Sequence, residues 1–376
     1  MTPSRIDHAL KRRRRSRRDL AAQIGVADKT VERWIKGTSE PGDENLEKMA
    51  AALDFPVDFF SGRPLEEIDH TKPSFRARRS SKRLLEAASQ SAAIAFEVER
   101  ALTEDLGFEL PMLNLPEIPD ACLDDPELAA LRVRDHWGLR DRPIRRVVGV
   151  LELNGIRVFS LPADMVEGKV SAFCVENANG TPFILLNTRD ATSGERTRFD
   201  ASHELGHIIL HRHRERIGPH DESEADRFAA AFLMPRSSIM EVAPRAEPSI
   251  ASLSTLKRRW GVSVAALARR FFDLDVFSDR QYRRICIELS RYGRRREPNP
   301  IPGEPSRLLP KIVEALRQDE GGLSTLSALS LLHDEELDEY LFGLTMLPVT
   351  RGGGRPPDGP EFPPGEPKLS LVGSGS

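Results

Sequence analysis

Residues 203–213 read HELGHIILHRH, four histidines and a glutamate within eleven residues. His203, His207 and His211 fall four apart, and His213 follows two residues later. Side chains four apart share one face of a helix, so the imidazoles of His203 and His207 can converge on one ion at about 2.0–2.1 Å. Glu204, beside the first histidine, is placed to take a proton from water at that ion, the HExxH arrangement. The competing reading is a helix with two solvated or hydrogen-bonded histidines. His211 cannot join the pair, because eight residues of helix rise about 12 Å. It is expected as an exposed or hydrogen-bonded side chain. His213 stands at the spacing of HExxHxxGxxH, but that arrangement breaks the helix at a glycine, and this chain has Leu210 there. His213 is therefore set aside as a ligand.

The third ligand is sought in HDESEADRFAAAFLMP, residues 220–235. Glu222 and Asp226 lie four apart on a second predicted helix, and Ala225, Ala229 and Leu233 share or border their face. Small alanines allow close approach to the histidine helix. Glu222 then completes a His₂Glu site with one position left for water, and Asp226 accepts the free ring N–H of a ligating histidine. Glu224 is expected to point away and pair with Arg227. Either acid could instead be an ordinary surface charge. Upstream, IRVFSLP, KVSAFCVE and TPFILLNT read as short strands, with NANG as a hairpin turn between the last two. Helices are expected over 124–139, 144–155, 194–212, 222–242 and 252–294. The fold class is mainly α with a small β-sheet (α+β).

The N-terminal 60 residues have a different character. KRRRRSRR, residues 11–18, places seven basic residues in eight within a chain of net charge −3. Such a block suggests a polyanion partner, or else a solvated arm. RRDLAAQIGVADKTVERWIKGTSEP follows with the anatomy of a helix-turn-helix: Leu20-Ala21 on the first helix, a tight turn at Gly25, and a second helix closed by Gly37. Asp28, Lys29, Thr30 and Arg33 are its outward residues, set to face base edges. Arg17, Arg18 and Lys36 are set for phosphates, while Val31, Trp34 and Ile35 are expected in the core. A helical module that touches no nucleic acid is the bland alternative.

Residues 8–62 resemble the XRE-type, lambda-repressor-like helix-turn-helix, through the LA..IGV turn, the KG ending and NLEKMAAAL downstream. FDASHELGHIILH followed by EADRFAAAFLMP resembles the ImmA/IrrE-type zinc endopeptidases, with FRAR, HWGLRDRPI, LELNGIRV and FILLNT as flanks, over about residues 70–296. The resemblance implies a zincin-like domain with His203, His207 and Glu222 as ligands and Glu204 as catalytic base. It also implies zinc as the ion, with manganese as the alternative, and a role in cleaving or inactivating a repressor.

These readings divide the chain into a DNA-binding domain (1–65), a linker and bracing helix (66–115), a metallopeptidase domain (116–300), a helical region (301–350) and a disordered tail (351–376). The linker stretch FRARRSSKR, residues 75–83, reads as exposed, so that a cut there would release the head; cleavage in trans is the favoured form. The three cysteines form no CxxC pair and read as small core residues in a reducing cytoplasm. No secretory leader and no apolar run near the ~18 residues of a membrane span are apparent. The expected protein is a homodimeric DNA-binding regulator, with double-stranded DNA and a repressor or toxin-linked protein as partners. The alternative is a transcription factor or antitoxin whose metal site is structural or sensory.

Overall fold

The computed structural model describes residues 1–68, 81–167, 170–188, 194–212, 219–292, 297–319 and 321–345. It is mainly α-helical with one three-stranded mixed sheet. His213, most of FRARRSSKR, the FRAR flank and the tail lie outside the described residues. None of the described helices is long and apolar enough to cross a membrane.

The chain forms two compact units. One gathers Met1–Glu67, Glu86–Met112 and the described residues from Leu308 onward. The other takes the described residues within 68–85 and 113–307. Contact thus joins three separated stretches into the first unit, where sequence drew consecutive ones.

In the first unit, α1 (Pro3–Arg12) starts with proline, whose fixed φ and missing N–H suit a helix start. Ser16 caps α2 (Arg17–Ile24) in a reciprocal box with Asp19. The turn to α3 (Asp28–Ile35) needs a left-handed residue, and Gly25 supplies it at φ 75°. Leu20, Val31 and Trp34 are buried, as is Met49 on α4 (Asp43–Leu53). Ile35 is half-buried rather than fully enclosed. Phe55, Phe59 and Phe60 close this core, with Phe55 stacked on Phe59 at 4.1 Å.

The basic block does not behave as an arm. Lys11 and Arg12 are the last turn of α1. Arg12, 1% exposed, donates to Glu336 at 3.2 Å. Arg13 donates to Glu336 at 2.6 and 3.1 Å and to the carbonyls of Leu53 and Asp54. At the other end of α1, buried Arg5 donates to the Arg63 carbonyl and faces Glu97 at 3.6 Å; Glu97 also takes Arg63 and Arg100. Burial holds the Arg5 guanidinium down at about 10. Both carboxylates come from outside residues 1–67, on α5 (Lys82–Arg100) and on the helix Asp334–Tyr340. Two of the seven cations are therefore fold-holding contacts, because a buried guanidinium must be paired. Arg14, Arg15 and Arg18 are exposed.

In the second unit the strands fall within the three stretches expected as strands: β1 (Arg157–Ser160), β2 (Ala172–Glu176) and β3 (Pro182–Leu186), in the order β1-β3-β2. β1 runs parallel to β3, and β2 antiparallel through the Asn177–Gly180 turn. The histidine helix spans Gly194–Leu210 and packs on β2 and β3 on one side and on the acid helix, Pro219–Leu233, on the other. Its first two turns are held by two buried cations. Arg198 donates to the carbonyls of Ile144, Arg145, Trp260 and Gly261 and pairs with Glu304 at 2.7 Å. Lys257 reaches Glu195 at 2.5 Å and Glu297 at 3.0 Å.

The long helices expected over 222–242 and 252–294 are broken. The acid helix stops at Leu233, and Pro235 starts the next one, since proline cannot continue a helix already under way. Gly261 at φ 64° and a Ser263 cap separate Ile250–Leu256 from Val264–Asp273, and Asp279–Tyr292 follows.

Candidate metal centre and recognition helix

His203, Glu204 and His207 are 0, 1 and 3% exposed on the inner face of the histidine helix. Close approach of the acid helix depends on Gly206. A Cβ there would lie 3.1 Å from the Ala225 Cα and 3.2 Å from the Phe228 ring. With glycine opposite alanine the backbones meet, and the acids of the second helix reach the histidines of the first.

The His203 and His207 Nε2 atoms are 3.0 Å apart. Glu222 lies over both, with Oε2 3.8 Å from His203 and Oε1 3.6 Å from His207. One ligand atom from each of the three residues fits within 4.8 Å of the others. Asp226 Oδ1 accepts from His203 Nδ1 at 2.8 Å, which turns Nε2 toward the centre. A divalent metal suits this set on two counts. Two imidazoles and a carboxylate are the donors such an ion takes, with a position left over. Further, Glu204 Oε2 is buried with no hydrogen-bond partner among the described residues, a costly state that a water at the centre would relieve.

One sequence expectation about the neighbours is corrected. Glu224 does not point away toward Arg227. It is buried, with Oε2 3.0 Å from His211 Nε2 and Oε1 3.2 Å from His220 Nδ1. The helices run antiparallel, so the turn carrying His211 meets the turn carrying Asp221 and Glu224. His211 is hydrogen-bonded, and buried rather than exposed. Cys286 is exposed, unlike Cys122 and Cys174.

Sequence reasoning gave Cys174 no role. From β2 its thiol reaches Glu204, 3.6 Å from the backbone carbonyl and within hydrogen-bonding reach of the carboxylate. Only strand register could have placed it there. Burial raises the Glu204 carboxyl above its usual range, while His207, His203 and the Cys174 thiol pull it down by less. A raised folded-state pKa stabilises the fold below the ordinary glutamate pKa, and that contribution is lost as pH rises through the folded value. Metal-free Glu204→Gln is therefore expected to melt above metal-free wild type near neutral pH, with the gap closing toward acid. Thermal melts from roughly pH 4 to 8 would check this; a gap that does not change with pH would contradict it.

On α3, Lys29 and Arg33 are exposed, and Asp28 and Thr30 are half-buried. Arg17 grips Asp28 through two bonds, at 2.8 and 2.9 Å, and lies 3.5 Å from Glu32. Lys36 bonds Glu32 at 2.7 Å. Two of the residues set for phosphate, Arg17 and Lys36, thus have carboxylate partners within the unit, while Arg18 is exposed.

Residues 8–60 match the family model described as helix-turn-helix. Residues 151–272 match the one described as IrrE N-terminal-like domain, a peptidase family. No curated protein matches the chain.

Proposed function

We propose that this chain, which joins an XRE-type helix-turn-helix domain to an IrrE-like peptidase domain, is a DNA-binding regulator that hydrolyses a peptide bond in a partner protein with zinc held by His203, His207 and Glu222. The observation that carries the reading is Glu204: a buried carboxylate oxygen with no hydrogen-bond partner among the described residues, beside three convergent candidate ligands. A purely structural site has no use for such a base.

When bound, the metal would supply Lewis acidity for the scissile carbonyl and for the attacking water. The chain supplies the rest. Glu204 Oε2 takes the proton of the water and passes it to the leaving amine. Asp226 holds the His203 ring in place. β2 is an edge strand in the sheet order. Asn187 N donates to Ser171 O and Asn177 N to Thr181 O, so residues 171, 173, 175 and 177 face β3. The backbone groups of Ala172, Cys174 and Glu176 therefore face away from β3. The partner is a repressor-like or toxin-linked protein, and the head works as a homodimer on a two-fold related DNA site.

Elemental analysis of the full-length protein tests the centre. About one zinc per chain is expected in wild type, and none in the His203→Ala/His207→Ala double variant. Glu222→Ala should weaken binding far more than His213→Ala. The reverse order would favour the HExxHxxGxxH geometry, and metal retained in the double variant would remove the assignment.

A further inference from the structure

One helical turn beyond the proposed centre lies a second group of convergent side chains. His211, Asp221 and Glu224 are all buried, and each offers an atom within 4.8 Å of the others. By residue type alone this is a second metal site. Proton placement argues against it. His207 Nδ1 and His211 Nδ1 are 2.9 Å apart. Two ring nitrogens at that distance form a hydrogen bond only if one carries a proton and the other is bare. If His207 gives its Nε2 to the ion shared with His203 and Glu222, its neutral ring carries the proton on Nδ1. His211 Nδ1 is then the bare acceptor, and the His211 proton sits on Nε2. That nitrogen faces Glu224 Oε2 at 3.0 Å and Asp221 Oδ1 at 3.8 Å. A protonated ring nitrogen has no lone pair for a cation.

We infer that His211 is a positioning residue for the metal centre: it accepts the Nδ1–H of His207, donates its own Nε2–H to Glu224, and so fixes the tautomer and rotation of His207. The inference rests on the proposed metal site. His203 is oriented by a carboxylate directly, at 2.8 Å from Asp226. His207 is oriented by a carboxylate at one remove, through His211. Geometry accounts for the difference. Asp226 opposes His203 across the two antiparallel helices, but Glu224 opposes the turn beyond His207, and the imidazole of His211 spans the gap.

The test uses the full-length protein with zinc as the probe, read by stoichiometry at saturation and by affinity in competition with a chelator. Wild type should hold one zinc. His211→Leu, which removes both acceptor and donor, should weaken zinc by roughly 10–100-fold, the usual effect of losing such a partner. His211→Gln should stay within a few-fold of wild type, because its amide oxygen can accept from His207 and its NH₂ can donate to Glu224. A role in packing alone would not be rescued by the amide. Ring ¹⁵N spectra of zinc-loaded wild type give a readout that needs no variant, and His211 should appear as the Nε2–H tautomer. Three results would each overturn the inference while leaving the metal centre standing: a second zinc that disappears in His211→Gln, equal affinity in all three proteins, or an Nδ1–H tautomer at His211. Absence of any zinc in wild type would instead remove the metal centre itself.

Discussion

Glu204→Gln is expected to abolish cleavage of the partner protein while leaving zinc and DNA binding in place. The glutamine keeps the shape of the side chain and touches none of the three ligands, so metal content should match wild type. It cannot carry the proton from water to the leaving amine, a step contributing roughly 10²–10⁴-fold in rate. The α3 surface belongs to the other unit, so operator affinity should not change. The measurement is incubation of the zinc-loaded protein with the products of neighbouring genes, followed by the appearance of cut fragments. A reporter on the controlled promoter gives the cellular readout: the variant should hold that promoter in one state under induction. Cleavage by the variant at the wild-type rate, or identical promoter responses, would make the centre structural or sensory.

Glu336→Ala is expected to cost about 3–5 kcal/mol of stability in the DNA-binding unit, because it removes the carboxylate that pairs with a buried guanidinium. Arg12 and Arg13 both end on that carboxylate, and Arg12 is 1% exposed. Set against the ~5–15 kcal/mol of a typical domain, the loss is large. A chain stopped after Arg307 removes Glu336 with the three helices from Leu308 to Tyr340 and should lose operator binding altogether. Lys29→Ala is the contrasting variant: exposed, it should leave the melt unchanged and reduce discrimination between operator and random DNA. Thermal melts and salt-dependent binding would separate the two effects. A chain stopped after Arg307 that binds operator like wild type would show that residues 1–67 hold themselves together.

The same contacts revise the idea that a cut within residues 75–83 frees the head. Residues 1–67 are gripped by Glu97 through Arg5 and Arg63, and by Glu336 through Arg12 and Arg13. A break between them and α5 leaves these ion pairs intact. For the proposed proteolysis, these contacts argue against release of the head by a cut in its own linker and leave cutting of a separate protein as the expected form.

The local signals were legible in the sequence because they depend on neighbours along the chain. Four-residue spacing placed His203 and His207 on one face, and short apolar runs flanking an Asn-Gly turn marked β2 and β3. Gly25 marked the turn between two short helices. The pairing of Glu222 and Asp226 with those histidines was legible too, since the spacing on one helix matched the spacing on the other and alanines marked the face of approach. Tertiary structure alone decided what lay across a helix interface or far along the chain. The sequence could not show that the helices cross antiparallel with Glu224 opposite His211, or that β2 sets Cys174 against Glu204. Nor could it show that two arginines of a basic run are consumed by a glutamate more than three hundred residues away. Periodicity states which side chains share a face. It does not state what that face meets, and burial of a charge is decided by the partner it meets there.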